Sequence, residues 1–485
     1  MQGGARPCSE RFGWTRYHEG MNSSPSPLTH RLARRLLPLR RLSKSASQTS
    51  NAFAVPANSV QTLEGPAAFR SALFELIAQA RRRIVLVALY LQDDASGREL
   101  LDALYAACAR HHELDVEIYV DWHRARRGLI GKTASEGNAA MYRDYAARFG
   151  DRVAIYGVPV QNRELFGVLH LKGFVIDDAV LYSGASINDV YLARDARYRL
   201  DRYHLIRDAG LADSMAGFAQ RYLRSSPAVQ RLDQLPLPAT RELQPAIREL
   251  RRQLQQAHYQ VPRATEPENE VAITPIVGFG RNANQLNDTL LALLREATRR
   301  VVLFTPYFNL PRPVRAVLGQ LLRRGCVIDI MVGDKTANDF YIPPAEPFRR
   351  IGLLPYLYES NLRRFARSHR AHMLRGQLNL WLWRDGGNSY HVKGLLIDDE
   401  IAVITGNNLN PRAWALDLEN GLVLRDPSRQ LIEQHEAEWA ALRRHATRLQ
   451  DYHALDNPRR YPVEVRTLLR RLSRVRLDRL INRLL

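Results

Sequence analysis

The sequence predicts an α/β protein built from two related halves, each a mostly parallel or mixed sheet flanked by helices, with a pseudo-twofold arrangement around one shared site. Two observations predict this class. A helix followed by an apolar strand recurs at a nearly constant offset, and each half carries one His-x-Lys-x4-Asp motif. The strands are short and almost entirely apolar, as expected for a sheet that is covered on both faces.

The duplication is visible in the order of the elements. An amphipathic helix over 69–83 leads into an apolar strand over 84–90, and the same arrangement returns over 286–300 and 301–307, 217 residues later. The two motif histidines are 221 residues apart, and the strands that close each half are 218 residues apart. So long a period indicates a duplicated domain rather than a solenoid of short repeats.

Composition divides the chain into five segments. We predict a mostly disordered basic N-terminal arm (1–60), a first half (61–225), a connector with one helix (226–270), a second half (271–450) and a basic amphipathic C-terminal helix (451–485). The arm is rich in Ser, Pro and Arg, and the connector holds several prolines around one polar helix.

The charge of the chain predicts an anionic partner. The 485 residues carry a formal net charge of +20, which leaves nucleic acid and anionic lipid as candidates. The three cysteines have no metal-like spacing and fit a reducing compartment. No apolar run approaches the ~20 residues that a membrane-spanning helix needs, and the first residues do not read as a signal peptide. We therefore expect a soluble or membrane-peripheral protein in the cytoplasm.

The two motifs carry the residues that we expect to do chemistry. They are His170, Lys172 and Asp177 in the first half, and His391, Lys393 and Asp398 in the second. Residues two apart on a strand point the same way, so each histidine shares a face with its lysine. An imidazole can attack phosphorus, and an ammonium group can hold the negative charge that develops. Two copies at equivalent places make a chance match improbable.

A small polar turn follows each motif, and an acidic residue follows each turn. The candidate phosphate-binding residues are Ser186 and Asn188 in the first half, and Asn408 and Asn410 in the second. Short side chains let the backbone approach a ligand, and Ser or Asn can donate hydrogen bonds to phosphate oxygens. Alignment of the closing strands places Asp201 opposite Glu419, where a carboxylate could orient a catalytic histidine. Ordinary surface carboxylates are the alternative for this pair.

The paired motifs and their polar turns resemble the phospholipase D superfamily. The run 408–412 (NLNPR) and Glu419 look like the superfamily's usual continuation. The superfamily commonly has Gly-Ser-x-Asn after the motif, whereas this chain has TGNN over 405–408 and, in the first half, Ser186 at the place of the second asparagine. The phosphate-holding role in the first half could therefore fall to Ser186 or to Asn188.

Within that superfamily, four loops resemble the bacterial phosphatidylserine synthases. The loops are 120–127 (VDWHRARR), 182–191 (YSGASINDVY), 332–343 (VGDKTANDFYIP) and 405–414 (TGNNLNPRAW), and the resemblance runs from about residue 60 to the C-terminus. It implies an enzyme of phospholipid biosynthesis that moves a phosphatidyl group from CDP-diacylglycerol to L-serine and releases CMP.

The resemblance also implies a two-step route through a phosphatidyl-histidine. We expect His170 to attack the phosphorus, and His391 to protonate the departing CMP and then deprotonate the serine hydroxyl. Lys172 and Lys393 would hold the non-bridging oxygens. The sequence contains no carboxylate or His/Cys cluster that resembles a metal site, so we predict neither metal nor cofactor. The residues alone leave open which histidine is the nucleophile.

The C-terminal segment suggests how such an enzyme would reach a lipid. Residues 463–485 place Val and Leu at mainly helical spacing, with arginines between them. Such a helix can lie on the anionic inner face of the cell membrane or dock on the protein's own core, and both can hold together. The charge would also suit a nuclease, but the arginines concentrate in leucine-rich segments, so no nucleic acid partner is expected. A cardiolipin synthase or a hydrolytic phospholipase D is a further alternative.

Overall fold

The structure, a computed structural model, describes residues 50–127, 137–264, 270–343 and 345–474. Most of the predicted N-terminal arm and the last part of the predicted C-terminal helix, residues 475–485, lie outside the described residues. No helix among the residues that the structure describes is both long enough and apolar enough to cross a bilayer.

The first part of the chain alternates short strands and helices. Its strands are β1 (Ser50–Asn51), β2 (Phe53–Val55), β3 (Val60–Thr62), β4 (Arg83–Val87), β5 (Asp115–Asp121), β6 (Val153–Val158), β7 (Gly173–Ile176), β8 (Ala179–Ser183), β9 (Arg199–Leu200), β10 (Tyr203–Arg207) and β11 (Gln230–Arg231). Its helices are α1 (Gly65–Gln79), α2 (Ala95–Arg110), α3 (Trp122–Ala125), α4 (Ala139–Phe149), α5 (Ala209–Phe218) and α6 (Gln244–Leu254). Helix α1 buries Phe69, Leu73 and Ile77, which share one helical face.

The second part repeats this order. Its strands are β12 (Arg263–Ala264), β13 (Val271–Phe279), β14 (Arg300–Phe304), β15 (Val327–Gly333), β16 (Leu378–Trp383), β17 (Ser389–Tyr390), β18 (Gly394–Ile397), β19 (Ile401–Thr405), β20 (Leu418–Arg425) and β21 (Ala446–Arg448). Its helices are α7 (Gln285–Glu296), α8 (Arg312–Arg323), α9 (Leu354–Ser368), α10 (Arg370–Leu374), α11 (Pro411–Ala415), α12 (Ile432–Arg444) and α13 (Val463–Arg474).

Two large mixed sheets form the centre of the two halves. The strand order is β11-β6-β5-β4-β7-β8-β10-β3 in the first sheet and β2-β13-β20-β19-β18-β14-β15-β16-β21 in the second. In each sheet three strands are parallel, β4, β5 and β6 or β14, β15 and β16, and the strands on the motif side are antiparallel. The eight strands of the first sheet each have a counterpart in the second, which has β2 as an additional edge strand, so the predicted class of two duplicated α/β/α halves is confirmed.

The strands that follow the motifs, β7 and β18, lie beside β4 and β14. Because β7 runs antiparallel to β4, its first residue, Gly173, pairs with Val87 at the end of β4. Gly394 pairs with Phe304 in the same way. Each His-x-Lys pair therefore lies at the edge where the parallel strands end, which is where open α/β sheets commonly bind ligands.

Two segments differ from the predicted boundaries. Strand β2, inside the predicted arm, pairs with β13 in the second sheet, whereas β3 pairs with β10 in the first. The buried side chains of Phe53, Val55 and Val60 explain this pairing, and the run is too short to show a periodicity. The predicted connector supplies β11 to the edge of the first sheet, and its helix α6 buries Ile247 and Leu250.

Candidate active site

The two halves meet through backbone pairing beside the motif histidines. The amide N–H of His170 donates to the carbonyl of Leu418 at 2.9 Å, and the N–H of Leu418 donates to Val168 at 3.1 Å. The motif histidine of the second half is held by the first half in the same way. Strand β17 pairs in parallel with β9, and the N–H of His391 donates to the carbonyl of Leu200 at 2.8 Å. Each histidine thus sits beside the chain segment that carries the acidic residue of the other half.

The acidic residues serve the histidines crosswise. Nδ1 of His170 lies 2.9 Å from Oε2 of Glu419, and both side chains are buried. Oδ2 of Asp201 lies 3.5 Å from Nδ1 of His391. Asp201 and Glu419 are 4% and 1% exposed, so the alternative that they are ordinary surface carboxylates is wrong for this structure.

The two lysines have different surroundings although their motifs match. Nζ of Lys393 lies 2.5 Å from Oδ2 of Asp201 and also contacts Nδ1 of His391. Nζ of Lys172 is buried and has no hydrogen-bond partner among the described residues. The two halves therefore offer one lysine that is already paired and one that is free to bind an anion.

The glycines of the polar turns make room for these lysines. A Cβ on Gly406 would lie 2.7 Å from Cγ of Lys172, and a Cβ on Gly184 would lie 2.7 Å from Nζ of Lys393. Each turn therefore packs against the lysine of the opposite motif. Glycine is needed at both positions because a Cβ there would come too close to the side chain of the lysine.

Burial controls the charges in the site. It lowers the pKa of His170 well below its ordinary value, and the ammonium groups of Lys172 and Lys393 lower it further. Burial, followed by Lys393, lowers the pKa of His391 to about 4. Both histidines are therefore neutral near pH 7 in the unliganded protein, and an entering phosphate would favour protonation of His391.

The carboxylates and lysines respond to the same burial. Burial lowers the pKa of Lys172 to about 7, against the attraction of Glu419. Burial and the neighbouring Asp417 raise the pKa of Glu419 well above its ordinary value, which Lys172 and Lys393 oppose. For Asp201 burial would raise the pKa, but the attraction of Lys393 and the hydrogen bond to His391 hold it below its ordinary value.

The predicted phosphate-binding residues fall into two groups. Oδ1 of Asn188 accepts from the N–H of Tyr191 at 3.0 Å, and Oδ1 of Asn410 accepts from Ala413 at 2.9 Å as the N-cap of α11. These two asparagines hold their turns in shape. Ser186 is buried, and Oδ1 of Asn408 is buried without a partner among the described residues, so a phosphate contact by these two stays a prediction.

The structure gives the motif aspartates a different role from the predicted catalytic one. The carboxylate of Asp177 accepts from the N–H groups of Arg81, Arg82 and Arg83, at 2.9–3.2 Å. Asp398 accepts from Thr298, Arg299 and Arg300 in the same way. Both lie at the far end of β7 or β18 from the histidine, with φ of 50° and 54°. They fasten the start of β4 and β14 to the motif strand, which is a correction to the prediction.

Several residues that were not predicted surround His391. The hydroxyl of Tyr191 lies 3.0 Å from its Nδ1, and Oδ2 of Asp339 lies 3.9 Å from its Nε2. Asp339 also lies 2.8 Å from Nε of Arg199 and accepts from the hydroxyl of Tyr307 at 2.9 Å. Tyr191 and Asp339 stand in two of the loops that carry the family resemblance, and that was the available signal. Within the described part of the chain, no group of three or more His, Cys, Asp or Glu is placed to hold a metal ion.

Part of the second half matches a known protein family. Residues 290–443 match the family model described as cardiolipin synthase, phospholipase D-like domain. Together with the duplicated fold and the two facing His-x-Lys pairs, this match within the second half agrees with the phospholipase D class that the motifs predict.

Two relatives narrow the class. The chain is 48% identical to the CDP-diacylglycerol–serine O-phosphatidyltransferase of Escherichia coli K12, over 87% of this chain and 93% of that protein. It is 44% identical to the Haemophilus influenzae enzyme of the same name, over 91% and 99%. The crystal structure of Haemophilus influenzae phosphatidylserine synthase superposes with a TM-score of 0.87, covering 90% of this chain and 97% of that one. The chain belongs to the CDP-diacylglycerol–serine O-phosphatidyltransferase family.

Proposed function

We propose that this chain transfers a phosphatidyl group from CDP-diacylglycerol to L-serine, so that phosphatidylserine and CMP are formed. The substrates are those in the names of its relatives, which match over most of both chains. A buried site with two histidines and two lysines suits a reaction that exchanges one phosphodiester for another.

In the first step, Nε2 of His170 attacks the phosphorus nearer the diacylglycerol. A P–N bond forms and the P–O bond to CMP breaks, leaving a phosphatidyl-histidine. His391, protonated once the anionic substrate is bound, gives its proton to the departing CMP. Lys172 and Lys393 hold the non-bridging oxygens, on which negative charge accumulates in the transition state.

In the second step, the serine hydroxyl attacks the phosphorus of the phosphatidyl-histidine. His391, now neutral, accepts the hydroxyl proton while the new P–O bond forms. The P–N bond breaks and returns His170 to its starting state. One histidine thus acts as nucleophile, and the other acts first as acid and then as base.

The hydrogen bond between Nδ1 of His170 and Glu419 is the observation that carries this assignment. A carboxylate that accepts from Nδ1–H leaves the lone pair on Nε2, which is the form that a nucleophilic imidazole needs. His391 has a more crowded Nδ1, which faces Tyr191, Lys393 and Asp201. A hydroxyl, an ammonium group and a carboxylate around Nδ1 suit a histidine that exchanges protons.

Trapping the intermediate tests which histidine is the nucleophile. Purified protein in detergent micelles is mixed with CDP-diacylglycerol that carries ³²P in the phosphate nearer the lipid, without serine, and is then denatured. We expect the label to stay on the protein in the wild type and in His391→Asn, and to be absent in His170→Asn. Label that persists in His170→Asn and is lost in His391→Asn would assign the nucleophile to His391.

A product assay tests the reaction itself. The protein is incubated with CDP-diacylglycerol in micelles, with and without L-serine, in the presence of EDTA. We expect phosphatidylserine and CMP that depend on serine and are unaffected by the chelator. Phosphatidic acid formed regardless of serine would indicate a hydrolytic phospholipase D, and cleavage of nucleic acid alone would indicate a nuclease.

We also propose that the protein acts in the cytoplasm at the inner face of the cell membrane. Helix α13 buries Val465, and its Leu468 and Leu469 pack against a cluster that Val465 forms with Leu353, Tyr356 and Tyr461, so its described apolar face docks on the protein. Its other face carries basic side chains, which anionic headgroups attract. Shortly before His170, Leu165 and Phe166 are 63% and 48% exposed, which suits contact with a lipid surface.

Vesicle binding tests this proposal. Arg470 and Arg471 lie on the exposed face of α13. We expect Arg470→Glu with Arg471→Glu to weaken sedimentation with anionic vesicles while activity in neutral detergent micelles is retained. Unchanged sedimentation would remove α13 from the membrane contact.

A further inference from the structure

Asn420 clamps the backbone of Lys172 from the opposite half of the protein. The N–H of Lys172 donates to Oδ1 of Asn420 at 2.8 Å, and Nδ2 of Asn420 donates to the carbonyl of Lys172 at 2.9 Å. One carboxamide therefore satisfies both backbone groups of a motif residue that is 248 positions away in the chain. This pairing fixes the peptide planes on both sides of Lys172.

Two tyrosines hold this clamp in place. The hydroxyl of Tyr182 donates to Oδ1 of Asn420 at 3.1 Å, and Nδ2 of Asn420 donates to the hydroxyl of Tyr259 at 2.9 Å. Asn420 is 1% exposed, so water does not compete for its hydrogen bonds. A fully bonded buried amide has one orientation, and the groups that it binds are fixed with it.

The side chain of Lys172 depends on this backbone clamp more than its counterpart does. Its Nζ has no hydrogen-bond partner within the described residues, whereas Nζ of Lys393 is held by Asp201 and His391. Among the described residues, the backbone direction, the packing against Gly406 and the longer-range attraction of carboxylates such as Glu419 set where the ammonium group of Lys172 points.

The second half fixes its motif with different chemistry. Alignment of the two acidic residues places Arg202 at the position of Asn420. Nη1 of Arg202 donates to the carbonyl of Val403 at 3.1 Å, and its other nitrogens bind Glu438 at 2.6 and 2.8 Å. The residue after each orienting carboxylate thus reaches into the opposite half. Arg202 binds β19, the neighbour of the motif strand β18, whereas Asn420 binds the backbone of the motif lysine itself.

We infer that Asn420 is a positioning residue that aims the ammonium group of Lys172 at the phosphate during the reaction. The inference rests on the proposed function only in that Lys172 binds a phosphate of the substrate. Two successive residues of β20 would then position the motif of the first half. Glu419 orients His170, and Asn420 orients Lys172.

The first experiment compares Asn420→Ala with a matched control. Asp233 is also buried and polar, binds Arg231 and the N–H of Ile155, and lies at the β11–β6 edge of the first sheet. Release of CMP is the readout because transfer to serine and hydrolysis share it, so the test is independent of the serine assignment. We expect Asn420→Ala to lower kcat about 100-fold, as for a displaced catalytic group, with KM little changed. Asp233→Ala should lower the melting temperature and leave kcat unchanged.

A double-mutant cycle separates positioning from general stability. Asn420→Ala is introduced into the wild type and into Lys172→Arg, and kcat is measured in all four proteins. If Asn420 acts through Lys172, Asn420→Ala should lower kcat about 100-fold in the wild-type background and only a few-fold in the Lys172→Arg background. An equal loss in both backgrounds would overturn the inference, as would an unchanged kcat in Asn420→Ala.

Two more conservative variants test the same inference if Asn420→Ala does not fold. Tyr259→Phe removes one hydrogen bond to the side chain of Asn420. Tyr182→Phe removes the bonds of its hydroxyl to Oδ1 and to the backbone carbonyl of Asn420, and neither variant changes Lys172. We expect each to lower kcat a few-fold in the wild-type background and to have no further effect in Lys172→Arg. Wild-type kcat in both tyrosine variants would contradict a clamp that depends on them.

Discussion

Nδ1 of His170 lies 2.9 Å from Oε2 of Glu419, although the two residues are 249 positions apart and belong to different halves. The reverse contact joins His391 and Asp201, at 3.5 Å. Neither half therefore contains a complete site, because each histidine is oriented by the other half. This crosswise arrangement gives a physical reason for the duplicated chain to act as a unit.

Glu419→Gln should nearly abolish turnover. The glutamine amide can donate to Nδ1 of His170, which leaves the proton on Nε2 and removes the nucleophilic lone pair. We expect kcat to fall by about 1,000-fold or more, with KM for CDP-diacylglycerol little changed, as found when the carboxylate of a catalytic triad is neutralised. Steady-state kinetics in micelles measure both constants, and circular dichroism checks the fold. A kcat near that of the wild type would show that Glu419 does not set the tautomer of His170.

The activity should decrease at alkaline pH because Lys172 loses its positive charge. Burial lowers the pKa of this lysine to about 7, so the free protein loses the charge that binds phosphate as the pH rises through that value. We expect kcat/KM for CDP-diacylglycerol to decrease above about pH 7, since this ratio reports the free enzyme. The decrease in kcat should lie at higher pH, because a bound phosphate favours the charged lysine. Identical alkaline limbs for the two quantities would contradict this assignment.

The motif aspartates should affect stability more than catalysis. Burial raises the pKa of Asp398, but the backbone N–H groups of Arg300, Thr298 and Arg299 outweigh it and hold the pKa below its ordinary value. Asp398→Asn weakens these charge-assisted hydrogen bonds, and we expect a loss of about 2 kcal/mol in the free energy of unfolding. Chemical denaturation measures the loss. The folded variant should keep a kcat within a few-fold of the wild type, whereas a large loss of kcat at full stability would restore the catalytic role.

Buried neutral histidines should make the protein sensitive to acid. Both ring nitrogens of His204 lack partners among the described residues, and burial lowers its pKa to about 3. Glu438 and Asp201 oppose this shift, and Arg202 and His435 add to it. The unfolded chain binds a proton below about pH 6.5 while the folded chain does not, so stability is full above that pH and is lost as the pH falls.

Replacement of His204 isolates its share of this acid sensitivity. In His204→Leu the unfolded chain binds one proton fewer. The slope of the unfolding free energy against pH should therefore decrease by up to about 1.4 kcal/mol per pH unit between roughly pH 6.5 and 3. Denaturant titrations at several pH values give the two slopes. Parallel slopes for the variant and the wild type would mean that His204 is protonated in the folded protein.

Removal of one partner of the Arg202–Glu438 ion pair should lower the stability of the protein. Both side chains are nearly buried, at 2% and 9% exposure, and the attraction of Arg202 outweighs burial and lowers the pKa of Glu438 to about 2. Glu438→Gln leaves the charge of Arg202 buried without its partner, so we expect a loss of about 3 kcal/mol in stability. Arg202→Met combined with Glu438→Leu should recover much of that loss. If the double variant is no more stable than Glu438→Gln, the pair is not an isolated unit.

Local patterns in the sequence predicted the architecture and the candidate reacting groups. The alternation of apolar strands and helices, the long repeat and the two His-x-Lys pairs are local patterns, and they set which side chains share a face of a strand. They predicted the duplicated α/β class, which the structure confirms. They also selected His170, Lys172, His391 and Lys393, which the structure brings together in one buried site.

The partners of these groups follow from the tertiary structure and not from local patterns. The exchange of Glu419 and Asp201 between the halves, the clamp of Asn420 on Lys172 and the approach of Asp339 to His391 all join residues that are distant in the chain. The motif aspartates look catalytic from their spacing, but they bind the backbone at the far end of the strand. Partners of this kind, and the burial that sets each pKa, depend on how distant segments pack together within and between the halves, which a pattern of neighbouring residues does not contain.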